Sequence, residues 1–368
     1  MLGTKLAYKT ASAINQLTKT YPEPEGKLGF RLCNQSHETE KLKMLDLKDQ
    51  KIVITGGAGF LGQFVQKALM ARGVTQEQIF IPRRNGYDLT LESNVIRLYE
   101  DAKPDVVIHL AAEVGGIGAN RDHPGRFCFA NLSMGINLIE HARINNIKKF
   151  VQTGTVCAYP KFAPIPFKES DLWNGFPEET NAPYGVAKKT LFVMLDGYKR
   201  EYSLNSSVVL PVNLYGPGDN FDLHTSHVIP ALIRKCVEAR DRGDAYIECW
   251  GTGSASREFL YVEDAAEAIV FATEKMSDPT PINLGTCNEI KIKDLVELIA
   301  RLCEFKGEIK WDTTKPDGQP RRCLDTQKAK DLMGWQAQVG FEEGLKKTIE
   351  WFESQDNVRE VVYGGAPK

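Results

Sequence analysis

Thr155-Val156-Cys157 and Tyr184-Gly185-Val186-Ala187-Lys188 bring two chemistries into one chain. A Tyr and a Lys four apart lie on one face of a helix, a turn apart. A free phenol titrates near ~10, and an ammonium beside it eases the loss of its proton. With the hydroxyl of Thr155, the pair can hand a proton to a carbonyl oxygen while a hydride arrives at its carbon. Cys157 adds a thiol that such a reduction does not need. A further ionisable group, His227, stands in Ser226-His227-Val228-Ile229-Pro230. A thiol and an imidazole beside a reducible ketone suit proton exchange at the carbons that flank it. Cysteine is also common core filler, so a structural role for Cys157 stays open.

The hydride source is written near the start of the globular region. Lys51-Ile52-Val53-Ile54-Thr55 reads as a buried strand, a short β-branched run ended by glycines. It leads into Gly56-Gly57-Ala58-Gly59-Phe60-Leu61-Gly62, and residues 63–72 follow at helical spacing. A glycine-rich turn between strand and helix lets the backbone approach a pyrophosphate at the positive helix N-terminus. The G-x-x-G-x-x-G spacing is a variant of the dinucleotide fingerprint. The second strand, Gln78-Ile79-Phe80-Ile81, ends in Pro82-Arg83-Arg84. NAD binders usually place an acid there for the ribose 2′-hydroxyl, whereas arginine suits a 2′-phosphate. Arg84 or Arg83 therefore points to NADP(H); two solvated surface arginines are the alternative. Asp88, acidic and close by, is a second candidate for the ribose or adenine.

The elements that must position these groups follow from the pattern. From residue 47 strands and helices alternate, which predicts an α/β fold with a doubly wound parallel sheet. Residues 104–112 form another apolar strand pattern, and 127–145 a helical one. Lys149-Phe150-Val151-Gln152-Thr153 delivers Thr155 and Cys157 at its carboxyl end, where such sheets bind ligands. Residues 183–202 form the helix of Tyr184 and Lys188, and 207–210 a further strand. Beyond 214 the alternation fades among aromatic, Pro and Gly residues. This divides the chain into a Rossmann domain over 47–214, with a return strand near 282–285, and a smaller α/β substrate lobe over 215–355. His109 and His141 fall in strand and helix patterns and read as structural. Residues 1–46 carry lysines and hydroxyls before a Pro-rich break; this extension is expected to be poorly ordered and non-catalytic. A tail follows at 356–368.

Composition bounds the partners. A formal charge of −2 over 368 residues gives no reason to expect nucleic acid. No apolar stretch reaches the ~18 residues of a membrane span. The eight cysteines are scattered without a C-x-x-C pair, which argues against a zinc site and a secreted disulfide framework and for a cytoplasmic protein.

Further blocks make the chain recognisable: Ala112-Glu113-Val114-Gly115-Gly116-Ile117, Cys157-Ala158-Tyr159-Pro160-Lys161, residues 213–221 (NLYGPGDNF), Ser226 to Pro230, Trp250-Gly251-Thr252-Gly253 with Arg257-Glu258-Phe259-Leu260, and Lys315-Pro316-Asp317-Gly318. Over residues 50–352 the chain resembles the extended short-chain dehydrogenase/reductase superfamily, in its GDP-sugar epimerase-reductase branch. The resemblance implies NADPH-dependent 3,5-epimerisation and then 4-keto reduction of GDP-4-keto-6-deoxy-D-mannose. It implies Cys157 and His227 as the proton-exchanging pair, Tyr184 as proton donor, Lys188 as its partner and ribose ligand, and Thr155 as a hydrogen-bond donor to the ketone. Cofactor contacts are implied for residues 56–62 (Gly56, Gly57, Ala58, Gly59, Phe60, Leu61, Gly62), Arg84, Asp88, Leu89, Thr153, Gly154, Lys188, Pro211, Asn213, Leu214 and His227. Substrate contacts are implied for Lys235, Trp250, Arg257 and Asp317, with a homodimer built on helices 127–145 and 183–202.

Two departures bear on specificity. Thr155 stands where this branch often has Ser, and Gly116 to His123 ends in an atypical polar run. Both leave room for another GDP-4-keto sugar, or for reduction without epimerisation. A redox-neutral NAD-dependent epimerase would share the fold and Y-x-x-x-K, but Arg84 argues against it. Intact Thr155, Tyr184 and Lys188 argue against a silent NADP-sensing scaffold.

Overall fold

A computed structural model describes residues 44–115, 117–223, 225–315, 317 and 319–355. The N-terminal extension up to residue 43, the tail from 356 and His224 lie outside them.

The chain alternates as its pattern predicts: β1 (Ile52–Thr55), α1 (Phe60–Ala71), β2 (Ile79–Phe80), α2 (Glu92–Ala102), β3 (Val106–His109), α3 (Ile117–Asp122), α4 (Pro124–Ile144), β4 (Lys149–Thr153), α5 (Ala182–Tyr202) and β5 (Ser206–Pro211). Then come β6 (Asn213–Tyr215), α6 (Val228–Arg242), β7 (Tyr246–Trp250), β8 (Ser256–Tyr261), α7 (Val262–Lys275), β9 (Ile282–Leu284), β10 (Glu289–Lys291), α8 (Ile292–Leu302), β11 (Glu308–Asp312), α9 (Gln327–Met333) and α10 (Phe341–Glu353).

Six strands pair in parallel in the order β2-β1-β3-β4-β5-β9. β1, β3 and β4 are buried along their whole length, as a sheet covered by helices on both faces requires. The return strand near 282 is β9, joined to β5. The apolar run at 104–112 yields only four paired residues, the last rung of the ladder being the bond from Leu110 N–H to Thr55 O.

α4 and α5 pack side by side. A Cβ at Gly135 would lie 2.2 Å from Leu191 Cδ1, so only glycine permits their approach. Pro124 and Pro183 open the two helices, where a missing N–H costs nothing. A second core gathers Tyr215, Phe221, Phe259, α6, α8 and α10 beneath the β10-β8-β6 and β11-β7 sheets. Residues 262–275, counted above with the smaller lobe, form α7. Its Ala265, Ala266, Ala268 and Ile269 are buried in the core of the six-stranded sheet, and small residues let it lie close. Arg72, the C-cap of α1, ties to it through Glu267 at 2.8 Å and Glu274 at 3.2 Å.

Candidate active site

The carboxyl end of β4 turns into one short 3₁₀ turn, Val156–Ala158. Thr155 caps it, its Oγ1 accepting from Cys157 N–H at 3.1 Å. That leaves the hydroxyl hydrogen free to donate elsewhere. α5 presses directly on this turn: a Cβ at Gly185 would stand 2.3 Å from Cys157 O. The close approach sets Tyr184 within electrostatic reach of Thr155 and Cys157. Burial pushes the Tyr184 phenol well up from its ordinary 10, the nearby Cys157 adds to this, and the Thr155 hydroxyl opposes it. A phenol so held stays protonated at neutral pH, as an acid in a reduction must.

Lys188, one turn along, is fully buried, and its Nζ donates to Thr153 O at 3.1 Å. Burial brings its amine down to about 8. The Nζ stands 5.9 Å from the Tyr184 ring centre. Burial is the largest influence on the Tyr184 phenol here.

Cys157 is half-buried and carries a free thiol. Arg322, 9 % exposed, donates from Nη1 to its Sγ at 3.6 Å. Arg257 lies within electrostatic reach of both, and its guanidinium is brought down to about 10 by burial and by Arg322. His227 caps α6 without a side-chain hydrogen bond to it. His227 is exposed, yet partial burial holds its imidazole below the ordinary 6.5. In the preceding loop, burial brings the Asp219 carboxyl up to about 7.

The glycine turn fits a dinucleotide. Gly56 takes φ +71°, and a Cβ there would lie 2.9 Å from Ala111 N. A Cβ at Gly62 would lie 2.4 Å from Gly56 O and Gly57 O, so α1 seats its first turn directly against the loop. Its N-cap, Gly59, supplies no side-chain acceptor, which leaves the positive end of the helix for an anion. Ala58, Phe60 and Leu61 complete this turn. Arg84, largely exposed, pairs with Glu113 at 3.1 Å, and Arg126 grips the same carboxylate at 2.6 and 2.7 Å. Two guanidiniums converging at the ends of β2 and β3 form a donor set suited to a phosphate.

Other anticipated cofactor residues are anchored by the protein itself. Asp88 accepts from Thr90 N and Oγ1 at 3.0 and 2.7 Å. The side chain of Leu89 is buried in the core. Gly154 N–H donates to Val209 O, Thr153 Oγ1 is buried without a partner, and Pro211 ends β5. Asn213 Nδ2 donates to Glu258 O at 3.0 Å, and Leu214 pairs with Leu260.

Three of the anticipated substrate residues form one group. Asp317 accepts from Thr252 N and Oγ1 at 2.7 and 2.8 Å, clamping the Gly251–Thr252 turn. Arg257 Nη2 donates to Asp317 O at 3.4 Å, and Trp250 ends the strand before that turn with its ring exposed. Lys235 stands slightly apart, its Nζ donating to Glu248 O at 2.8 Å. The sequence pattern did not reveal Arg322, Gln319, Arg126 or Asp219. The only signal for the first was a doublet, Arg321-Arg322, just beyond Lys315 to Gly318.

Residues 52–285 match the NAD dependent epimerase/dehydratase family. The chain is 38% identical over 305 residues to "GDP-L-fucose synthase 1" of Arabidopsis thaliana, covering 83% of this chain and 94% of that protein. It is 36% identical over 323 residues to "GDP-L-fucose synthase" of Escherichia coli strain K12, covering 85% of this chain and 100% of the relative. The crystal structure of a GDP-L-fucose synthetase from Naegleria fowleri bound to NADP superimposes with a TM-score of 0.75 at 27% identity, over 87% of this chain and 97% of that one.

Proposed function

The chain belongs to the NAD dependent epimerase/dehydratase family, and we propose that within it the protein converts GDP-4-keto-6-deoxy-D-mannose to GDP-L-fucose with NADPH. The observation that carries this is the packing of α5 on the Cys157 turn, where Gly185 meets Cys157 O and Tyr184 lies within electrostatic reach of Cys157. The curated relatives named above are 36–38% identical over most of their length, and the bound NADP of the Naegleria structure supports the cofactor.

The ketone at C4 acidifies the protons on C3 and C5. Cys157, as thiolate, removes one of them to leave an enolate, and His227 returns a proton to the opposite face, inverting the centre. When bound, NADPH supplies the hydride that C4 accepts. Tyr184, kept protonated by burial, gives its proton to the C4 oxygen, and Thr155 donates a hydrogen bond to the same atom. Lys188, anchored on Thr153 O, would hold the nicotinamide ribose. Gly56 to Gly62 would hold the pyrophosphate, and Arg84 the 2′-phosphate. Arg257, half-buried, forms no ion pair with a carboxylate among the described residues, which leaves a cation for the nucleotide diphosphate. Trp250, Lys235 and Asp317 border that end.

We place the protein in the cytoplasm, where free thiols such as Cys128, Cys157 and Cys287 persist. A homodimer through α4 and α5 fits the exposed Phe129, Ile136, Val186, Val193 and Tyr202 on these helices. Light scattering of a purified sample should give twice the chain mass; a monomer at micromolar concentration overturns the dimer. The function itself is tested by incubating the protein with NADPH and the keto sugar: one NADPH consumed per GDP-L-fucose formed supports it. Turnover confined to another GDP-4-keto sugar shifts the assignment to that substrate.

A further inference from the structure

We propose that Arg322 is a positioning residue for Cys157, its guanidinium holding the sulfur as a thiolate aimed at the sugar. The proposal rests on the reading of Cys157 as the proton-exchanging base. A buried guanidinium demands an anion to offset its lost hydration. The neighbouring Arg321 has one, since it ion-pairs with Glu289 at the surface. Arg322 turns inward and pairs with no carboxylate among the described residues. Its Nε donates to Gln319 Oε1 at 2.8 Å and its Nη1 to Cys157 Sγ at 3.6 Å.

Gln319 is itself fixed: it is 8 % exposed, and its Nε2 donates to Lys161 O at 3.0 Å. The chain from Lys161 through Gln319 to Arg322 therefore ends on the thiol, with little rotational freedom left in the fork. Sulfur at this distance from a guanidinium is favoured as thiolate over thiol, because an opposite charge favours the ionised form. The other ionisable groups facing Cys157 are Tyr184 from α5, which stays neutral, and Arg257 from β8, a second cation. Asp317 and Glu289 face Arg257. The local field at the sulfur is thus positive, and Arg322 is the cation in contact with it.

The test is alkylation by iodoacetamide, followed by peptide mass at Cys157, with exposed Cys287 in the same sample as reference. At pH 7, Arg322→Gln should slow Cys157 by about tenfold or more and leave Cys287 unchanged. At pH 10, where any thiol ionises, the two proteins should react within about twofold. Arg322→Lys should restore most of the pH 7 rate. Should Arg322→Gln not fold, Gln319→Ala frees the fork without removing the charge and should still slow Cys157 severalfold. A parental alkylation rate in Arg322→Gln overturns the proposal, including the case where that variant loses affinity for GDP and Arg322 serves only the diphosphate. Equal slowing of Cys287 also overturns it. Slowed alkylation with undiminished deuterium exchange at C3 and C5 instead leaves Arg322 in place and removes Cys157 as the base.

Discussion

Alanine at Gly185 should separate the two halves of the active site. The added methyl would lie 2.3 Å from Cys157 O and 3.4 Å from Ala158 Cα. Ordinary contact begins near 3.4 Å, so α5 or the Cys157 turn must retreat by about 1 Å. The atom struck is a backbone carbonyl in a turn fixed by the Thr155 cap, so no side chain can swing aside. A displacement of ~1 Å between reacting groups costs on the order of 10²-fold in rate, or about 2.7 kcal/mol of barrier. The overpacking itself should cost about 1–3 kcal/mol of stability. The assay is kcat for NADPH oxidation at saturating substrate, with a thermal melt beside it. Gly197→Ala lies on the same helix with nothing within 4 Å of its Cβ. It should keep its kcat and gain up to about 1 kcal/mol of stability. A Gly185→Ala enzyme within threefold of the parent kcat refutes the argument, as does an equal loss in Gly197→Ala.

Two further outcomes follow from the electrostatics. Burial lowers the Lys188 amine from 10.5 to about 8, so the unfolded chain holds a proton the folded one lacks across that window, and stability rises with pH there. Below pH 8 the buried charge costs on the order of 3 kcal/mol. Lys188→Met should therefore melt higher than the parent at pH 6.5 and lose that advantage by pH 10, while its reductase rate falls at least 10²-fold; a lower melt at pH 6.5 counts against the burial argument. Arg84→Ala should weaken NADPH binding about tenfold and leave NADH binding alone. Equal effects on the two in a fluorescence titration would take Arg84 away from the 2′-phosphate.

How much of this was legible in the chain depended on whether its cause was local. The β-branched run of β1, the glycine turn and the four-residue spacing of Tyr184 and Lys188 carry their geometry within a few residues, and all three stand where pattern reasoning put them. Strand ends were less legible: hydrophobicity alone cannot show that the β1–β3 ladder closes at the bond from Leu110 to Thr55. The place of α7 was hidden because an alanine-rich helix suits either core, and only tertiary packing assigns it to the large sheet. Arg322 stands 165 positions from the sulfur it touches, and no periodicity reports such a contact. The Arg84–Glu113–Arg126 group likewise joins three separate segments. Spacing reveals that Tyr184 and Lys188 are neighbours but not the burial that acts most on the phenol.

The central claim is that one site both exchanges protons at C3 and C5 and reduces C4. The most direct measurement is the reaction in heavy water with NADPH and GDP-4-keto-6-deoxy-D-mannose, followed by proton NMR for the parent and Cys157→Ser. The parent should oxidise NADPH, take up deuterium at both C3 and C5 and give a fucose product, and Cys157→Ser should show suppressed exchange with intact NADPH binding. Oxidation without deuterium, or exchange undiminished in Cys157→Ser, would contradict it.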